Sequence, residues 1–147
     1  MITSNPSILT IMTTPTESGA KAKVLMVDDD KFLVDMYAMK FTQQGYEIQS
    51  YLAACDALAA LRGGYKPDVV LFDLIMPECD GFSFLDSMHN EKLAQDAVKI
   101  ALTNQSSDAE AARTKDLGAD AFLIKATLLP SEVVNRVGEE LQKHRKA

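Results

Sequence analysis

The chain has 147 residues, 47% of them hydrophobic, and a net charge of -6, which fits one globular domain with a real core. The acidic balance and the lack of any Lys/Arg run argue against direct nucleic-acid binding. No apolar stretch approaches the roughly 20 residues that a membrane span needs.

Met1 to about Ala20 is rich in Ser and Thr, carries Pro6 and Pro15, and contains no Lys or Arg. Without a basic n-region it is a poor signal peptide. It reads as a disordered arm (residues 1–20) ahead of one domain over 21–147, with Met12 as an alternative start. Cys55 and Cys79 do not make a disulfide framework, and their spacing is not that of a metal site. They read as packed or half-exposed thiols of a reducing, cytoplasmic compartment.

From Lys21 onward, strand-like and helix-like patterns alternate five times. Short apolar runs at 23–27, 46–50, 68–72, 98–102 and 120–124 suit strands covered on both faces. Helices are expected at about 31–44, 54–62, 81–90, 107–117 and 131–144. Leu33, Met36, Tyr37 and Phe41 fall near helical spacing, with Gly45 placed to close that helix. Ser107-Asp108-Ala109-Glu110 fits a capping box, Gly118 a stop, and Pro130 the first position of the last helix. The basic tail Lys143-His144-Arg145-Lys146 complements a helix C-terminus. Such alternation predicts right-handed crossovers and an α/β doubly wound fold. The common five-strand solution is flavodoxin-like, a parallel sheet in order 2-1-3-4-5 with helices on both faces.

The chemistry gathers at strand ends. Val24–Val27 runs into Asp28-Asp29-Asp30, and Val69–Phe72 runs into Asp73. As parallel strands, these put Asp28, Asp29 and Asp73 at the carboxyl edge of the sheet, where ligands of open α/β sheets bind. Like charges there repel by roughly 1 kcal/mol per pair at 4 Å in water, and about 4 at an effective dielectric of 20. The cluster therefore calls for a cation, and hard carboxylate oxygens with room for waters suit Mg²⁺. Asp30 reads instead as a helix N-cap, and Asp80 as a turn or capping residue.

At Asp73, followed by Met76-Pro77 and Asp80-Gly81, the chain resembles the receiver domain of two-component response regulators, of the single-domain chemotaxis-regulator type. Val27-Asp28-Asp29, Thr103 ending strand 4 and Lys125 ending strand 5 complete the match. Each motif is weak alone, but together, in order at the ends of strands 1, 3, 4 and 5, they are specific. The resemblance implies that Asp73 accepts a phosphoryl group as a carboxylate nucleophile. Asp29, Asp73 and the backbone carbonyl of Ile75 would hold Mg²⁺, with Asp28 acting mostly through water. Lys125 would pair with a phosphoryl oxygen and Thr103 would donate its hydroxyl. Phe122 occupies the position of an aromatic that turns inward on phosphorylation. The implied partners are a histidine kinase or histidine phosphotransfer protein, and a downstream protein on the helix 4–strand 5–helix 5 surface. A phosphorylation-dependent homodimer through that surface stays open. The chain would be a signalling module, catalysing only its own phosphorylation and dephosphorylation. Ending at Ala147 without room for an output domain, it would act through partners or be cut from a longer protein.

Two departures stand out. The usual Lys-Pro is Lys125-Ala126 here, which predicts a trans bond and a rearranged loop over 125–129 and leaves the reach of Lys125 open. Ile75, with Gln105 two residues after Thr103, flanks the path of an attacking water and would slow loss of the phosphate by excluding it. Three other readings compete with this one. An aspartate-nucleophile phosphatase of the haloacid dehalogenase type needs a general acid where Ile75 stands. A flavin or nucleotide binder would meet repulsion from Asp28-Asp29-Asp30. A pseudo-receiver would use the same fold for docking without phosphorylation.

Overall fold

The computed structural model describes residues 20–104 and 107–146. The expected N-terminal arm, Met12 and Gln105 lie outside the described residues. Five strands alternate with five helices: β1 Lys23–Val27, α1 Lys31–Gln43, β2 Glu47–Tyr51, α2 Ala54–Arg62, β3 Val69–Asp73, α3 Gly81–Asn90, β4 Val98–Thr103, α4 Asp108–Asp116, β5 Ala121–Ile124 and α5 Pro130–Lys146. All pairings are parallel, in the order β2-β1-β3-β4-β5, as the alternation predicts.

Strand alternation sorts the core into two layers. Val24 and Met26 of β1 face the side where Tyr37 and Phe41 of α1 pack with Val133, Val137 and Leu141 of α5. Leu25 and Val27 face the other side, with Ala57 and Leu58 of α2 and Phe84, Leu85 and Met88 of α3. Phe72 meets Phe84 edge-on at 5.7 Å and Phe41 meets Tyr46 at 5.4 Å; each geometry is worth about 0.5–1.5 kcal/mol beyond burial. By contrast α4 buries only Thr114, so little packing anchors it.

The caps follow the sequence. Asp30 accepts the Leu33 N–H at 3.2 Å, Asp80 accepts Ser83 N–H at 2.9 Å, and Ser107 accepts Glu110 N–H at 3.2 Å. Gly45 (φ 93) and Gly118 (φ 107) adopt the left-handed conformation that ends α1 and α4. The basic tail occupies the last turn of α5, as expected, and also reaches across the fold: His144 Nε2 lies 2.9 Å from the Asp96 carbonyl, and Arg145 Nη2 3.9 Å from Asp68. Boundaries differ from the sequence reading by one or two residues. Strand β3 begins at Val69; just before it, the Asp68 carboxylate accepts the Lys23 N–H at 2.8 Å. It extends through Asp73, so the acidic residue belongs to the strand itself.

Candidate functional site

Strand register assembles the site. Val27 pairs with Phe72, Asp73 with Leu102, and Thr103 with Ile124. The polar residues that end or follow β1, β3, β4 and β5 therefore step along one edge: Asp28 and Asp29 after β1, Asp73 ending β3, Thr103 ending β4, then Lys125 after β5. Carboxylate oxygens of Asp28, Asp29 and Asp73 lie within 4.8 Å of one another. Asp28 and Asp73 are 1% and 5% exposed and Thr103 1%, while Asp29 is exposed.

Lys125 reaches the centre despite Ala126. Its Nζ lies 2.7 Å from Asp28 Oδ2 and 3.6 Å from Asp73 Oδ2. Residues Lys125–Thr127 form a single 3₁₀ turn, closed by Leu128 N–H to the Lys125 carbonyl at 3.3 Å. Asp28 is doubly engaged, because its Oδ1 accepts the Asp30 N–H at 3.0 Å. Asp73 is less satisfied among the described residues, with a long 3.4 Å bond from Ile75 N–H besides the lysine.

The electrostatics follow from these contacts. Burial pushes the Asp73 carboxyl up to about 6; Lys125 and the Ile75 N–H pull it down, and Asp28 and Asp29 push it further up. Burial also works against the charge on Lys125. Its hydrogen bond to Asp28 and the attraction of Asp28, Asp73 and Tyr37 more than offset this, so its ammonium titrates above the ordinary lysine value. Three carboxylates against one ammonium leave two negative charges in a confined site. A hard divalent cation with oxygen ligands fits that surplus.

Sequence reasoning missed three contributors. Tyr37 counted only as part of an apolar stripe. It is buried, and its phenol is raised first by that burial, while the charges of Lys125 and Asp28 also act on it. Gly81 entered only as half of the Asp80-Gly81 match. It is there because a Cβ would come 2.5 Å from the Asp73 carbonyl and 2.7 Å from Leu74 Cα. Its N–H donates to the Leu74 carbonyl at 2.9 Å, drawing the start of α3 onto the Asp73–Leu74 backbone. Glu78 sits at φ 69, and Cys79 N–H bonds the Pro77 carbonyl at 2.7 Å. This tight three-residue turn has no single-residue sequence signal. Ile75 is 62% exposed at the rim, and Phe122 is half-buried against the α2–α3 layer.

The family model described as the response regulator receiver domain matches residues 24–137, more than half of the chain. The chain belongs to this family. The receiver domain is 28% identical over 123 residues to the response regulator SaeR of Staphylococcus aureus (strain USA300), a match covering 84% of this chain and 52% of SaeR. It thus spans about half the length of the curated relatives it matches. Among solved structures it is similar to a CheY-like response regulator receiver domain protein from Methanospirillum hungatei JF-1, with a TM-score of 0.76, 26% identity and coverage of 84% of this chain and 96% of that one. It is also similar to the chemotaxis protein CheY4 of Vibrio cholerae, with a TM-score of 0.75, 27% identity and coverage of 82% and 98%. The family is that of a two-component signalling module, and its members generally bind Mg²⁺ at an acidic pocket. No helix among the described residues is long and apolar enough to cross a membrane.

Proposed function

We propose that this receiver domain accepts a phosphoryl group on Asp73 in a Mg²⁺-dependent reaction. The observation that carries the reading is the convergence of Asp28, Asp29 and Asp73 within 4.8 Å, with the Lys125 ammonium against two of them. Asp29, Asp73 and the Ile75 carbonyl would hold Mg²⁺, Asp28 acting mostly through water; bound there, the ion neutralises charge on the transferring group. An Asp73 oxygen attacks phosphorus, and the bond from phosphorus to the donor's leaving atom breaks. Lys125, now shared between Asp28 and Asp73, offers its ammonium to a phosphoryl oxygen, and the Thr103 hydroxyl donates to another. No side chain has to move a proton for this step, consistent with a site rich in charge and lacking histidine.

Readout would run through α4, β5 and α5. The light anchoring of α4, which buries only Thr114, and the half-buried Phe122 support a surface that repacks when Thr103 moves toward the phosphate. The donor would be a histidine kinase or histidine phosphotransfer protein in the cytoplasm. The target would be a downstream protein or a second phosphorylated copy. The test is incubation with acetyl phosphate, with and without Mg²⁺, read by intact mass alongside Asp73→Asn. A Mg²⁺-dependent gain of one phosphoryl group, absent in the variant, is expected. No gain on the wild type, also with beryllofluoride and at short times, would favour a docking module that works without phosphorylation.

A further inference from the structure

Phe82 and Arg113 join α3 to α4 outside the acidic site. Phe82 is the second residue of α3 and only 6% exposed. Its predecessor Gly81 has no slack against the acceptor strand. The Gly81 N–H donates to the Leu74 carbonyl at 2.9 Å, and a Cβ there would come 2.5 Å from the Asp73 carbonyl. A shift of the Asp73–Leu74 backbone therefore carries the Phe82 ring with it. From α4, the exposed Arg113 lays its guanidinium 4.0 Å from the centroid of that ring. The contact is attractive because the ring face carries the negative part of its quadrupole. Helix α4 has few other ties. It buries only Thr114, the neighbour of Arg113, and Leu117 at its end packs half-buried on the α2–α3 layer. Among the described residues, no ion pair joins α4 to the rest of the domain.

We propose that Arg113 is a two-position latch coupling the acceptor site to α4. It stacks on Phe82 in the resting state and swings to Asp116 once the site carries a phosphoryl group. Asp86 of α3 and Asp116 of α4 line the same groove as Arg113. The guanidinium takes the ring, with no ion pair to either carboxylate. Asp116 follows Arg113 by three positions, the spacing of neighbours on one helix face. Turning away from Phe82 thus brings Arg113 to a carboxylate of its own helix. The first position ties α4 to α3; the second frees α4 and uncovers the Phe82 ring. An element with two discrete arrangements is one that a distant site can bias. Here the bias enters through Gly81, because filling the site moves the Asp73–Leu74 backbone on which the start of α3 rests.

Because the latch rests on Asp73 as the acceptor, the experiment separates the two. Amide hydrogen exchange of α4 in the whole chain is followed by mass spectrometry, with and without Mg²⁺ and beryllofluoride as a stand-in for the phosphoryl group. Without them, Arg113→Ala should exchange α4 about two- to fivefold faster than the wild type, the range for an exposed cation–π contact. Phe82→Leu, which stays apolar but loses the ring face, should do the same. Beryllofluoride should bring the wild type to that faster rate and add little in either variant. Asp116→Asn, lacking the second position, should respond less than the wild type. Coupling is reciprocal, so Arg113→Ala should reach half-saturation at about two- to fivefold less beryllofluoride by fluorine NMR. A merely structural arginine would not produce that shift. Unchanged α4 exchange in Arg113→Ala would overturn the latch, and unchanged half-saturation would overturn the coupling. A full response in Asp116→Asn would overturn the second position. If the wild type binds no beryllofluoride, the role of Asp73 fails and the coupling with it, while exchange in the free protein still decides whether Arg113 holds α4.

Discussion

Replacing Asp73 with Asn should make the metal-free protein more stable. The carboxyl is raised from an ordinary 3.8 to about 6, chiefly by burial, with Asp28 and Asp29 adding to it. Each unit corresponds to about 1.4 kcal/mol, so the charged form is disfavoured in the folded state by about 3 kcal/mol at neutral pH. The amide keeps the shape and sheds the charge, but it gives up the attraction to Lys125 at 3.6 Å, leaving an expected gain of about 1–3 kcal/mol. The sign with pH follows. A raised folded value means the folded wild type holds its proton more tightly, so the wild type loses stability as pH climbs from about 4 through about 6. The variant lacks this loss, and its advantage should be absent at about pH 4 and complete above about pH 7. Urea unfolding in EDTA across that range measures it, and melting temperature should rise by about 3–10 °C at neutral pH. Adding Mg²⁺ should then favour the wild type, which keeps all three carboxylates. A variant no more stable at neutral pH, or equally stabilised at both ends of the range, would refute this account of the site.

Three further changes probe the same architecture. Lys125→Met strips the ammonium from Asp28, which is 1% exposed, and should cost about 3–5 kcal/mol without metal. Urea unfolding checks it, and a loss under about 1 kcal/mol would show that Asp28 is solvated after all. Gly81→Ala forces a Cβ to 2.5 Å from the Asp73 carbonyl and should cost about 1–3 kcal/mol while weakening Mg²⁺ binding. Parallel unfolding and metal titration would expose an error if both stay unchanged. Ile75→Asn, at a 62% exposed rim position, should leave stability within about 0.5 kcal/mol yet shorten the lifetime of the phosphorylated form. An unchanged lifetime by intact mass would count against water exclusion by Ile75.

Much of this was legible in the sequence because period and punctuation are local signals. Apolar runs of strand length ending in acid fixed where Asp28, Asp29 and Asp73 would emerge, and capping chemistry marked Asp30, Asp80 and Ser107. The alternation of elements then left few topologies to choose among. What stayed illegible depends on contacts across the fold. The reach of Lys125 to Asp28, 97 residues away in the chain, could not be judged once its following proline was missing. Its charge also acts on buried Tyr37, whose spacing along α1 announced only an apolar face. The need for glycine at 81 comes from the backbone of Asp73 and Leu74, seven or eight residues earlier, and the left-handed Glu78 from closing the turn between them.

The site is, in this state, a compromise among charges. Lys125 cannot neutralise three carboxylates. It bonds closely with Asp28, which is also held by the Asp30 N–H, and sits 0.9 Å farther from Asp73. Of the two buried carboxylates, Asp73 is thus the one with fewer and longer bonds. A nucleophile benefits from that asymmetry, because a carboxylate already saturated with donors would have to break bonds before attacking. On the proposed reading Asp28 would serve as the fixed anchor for the ammonium, Asp29 as an exposed ligand for an entering cation, and Asp73 as the group with an oxygen to spare.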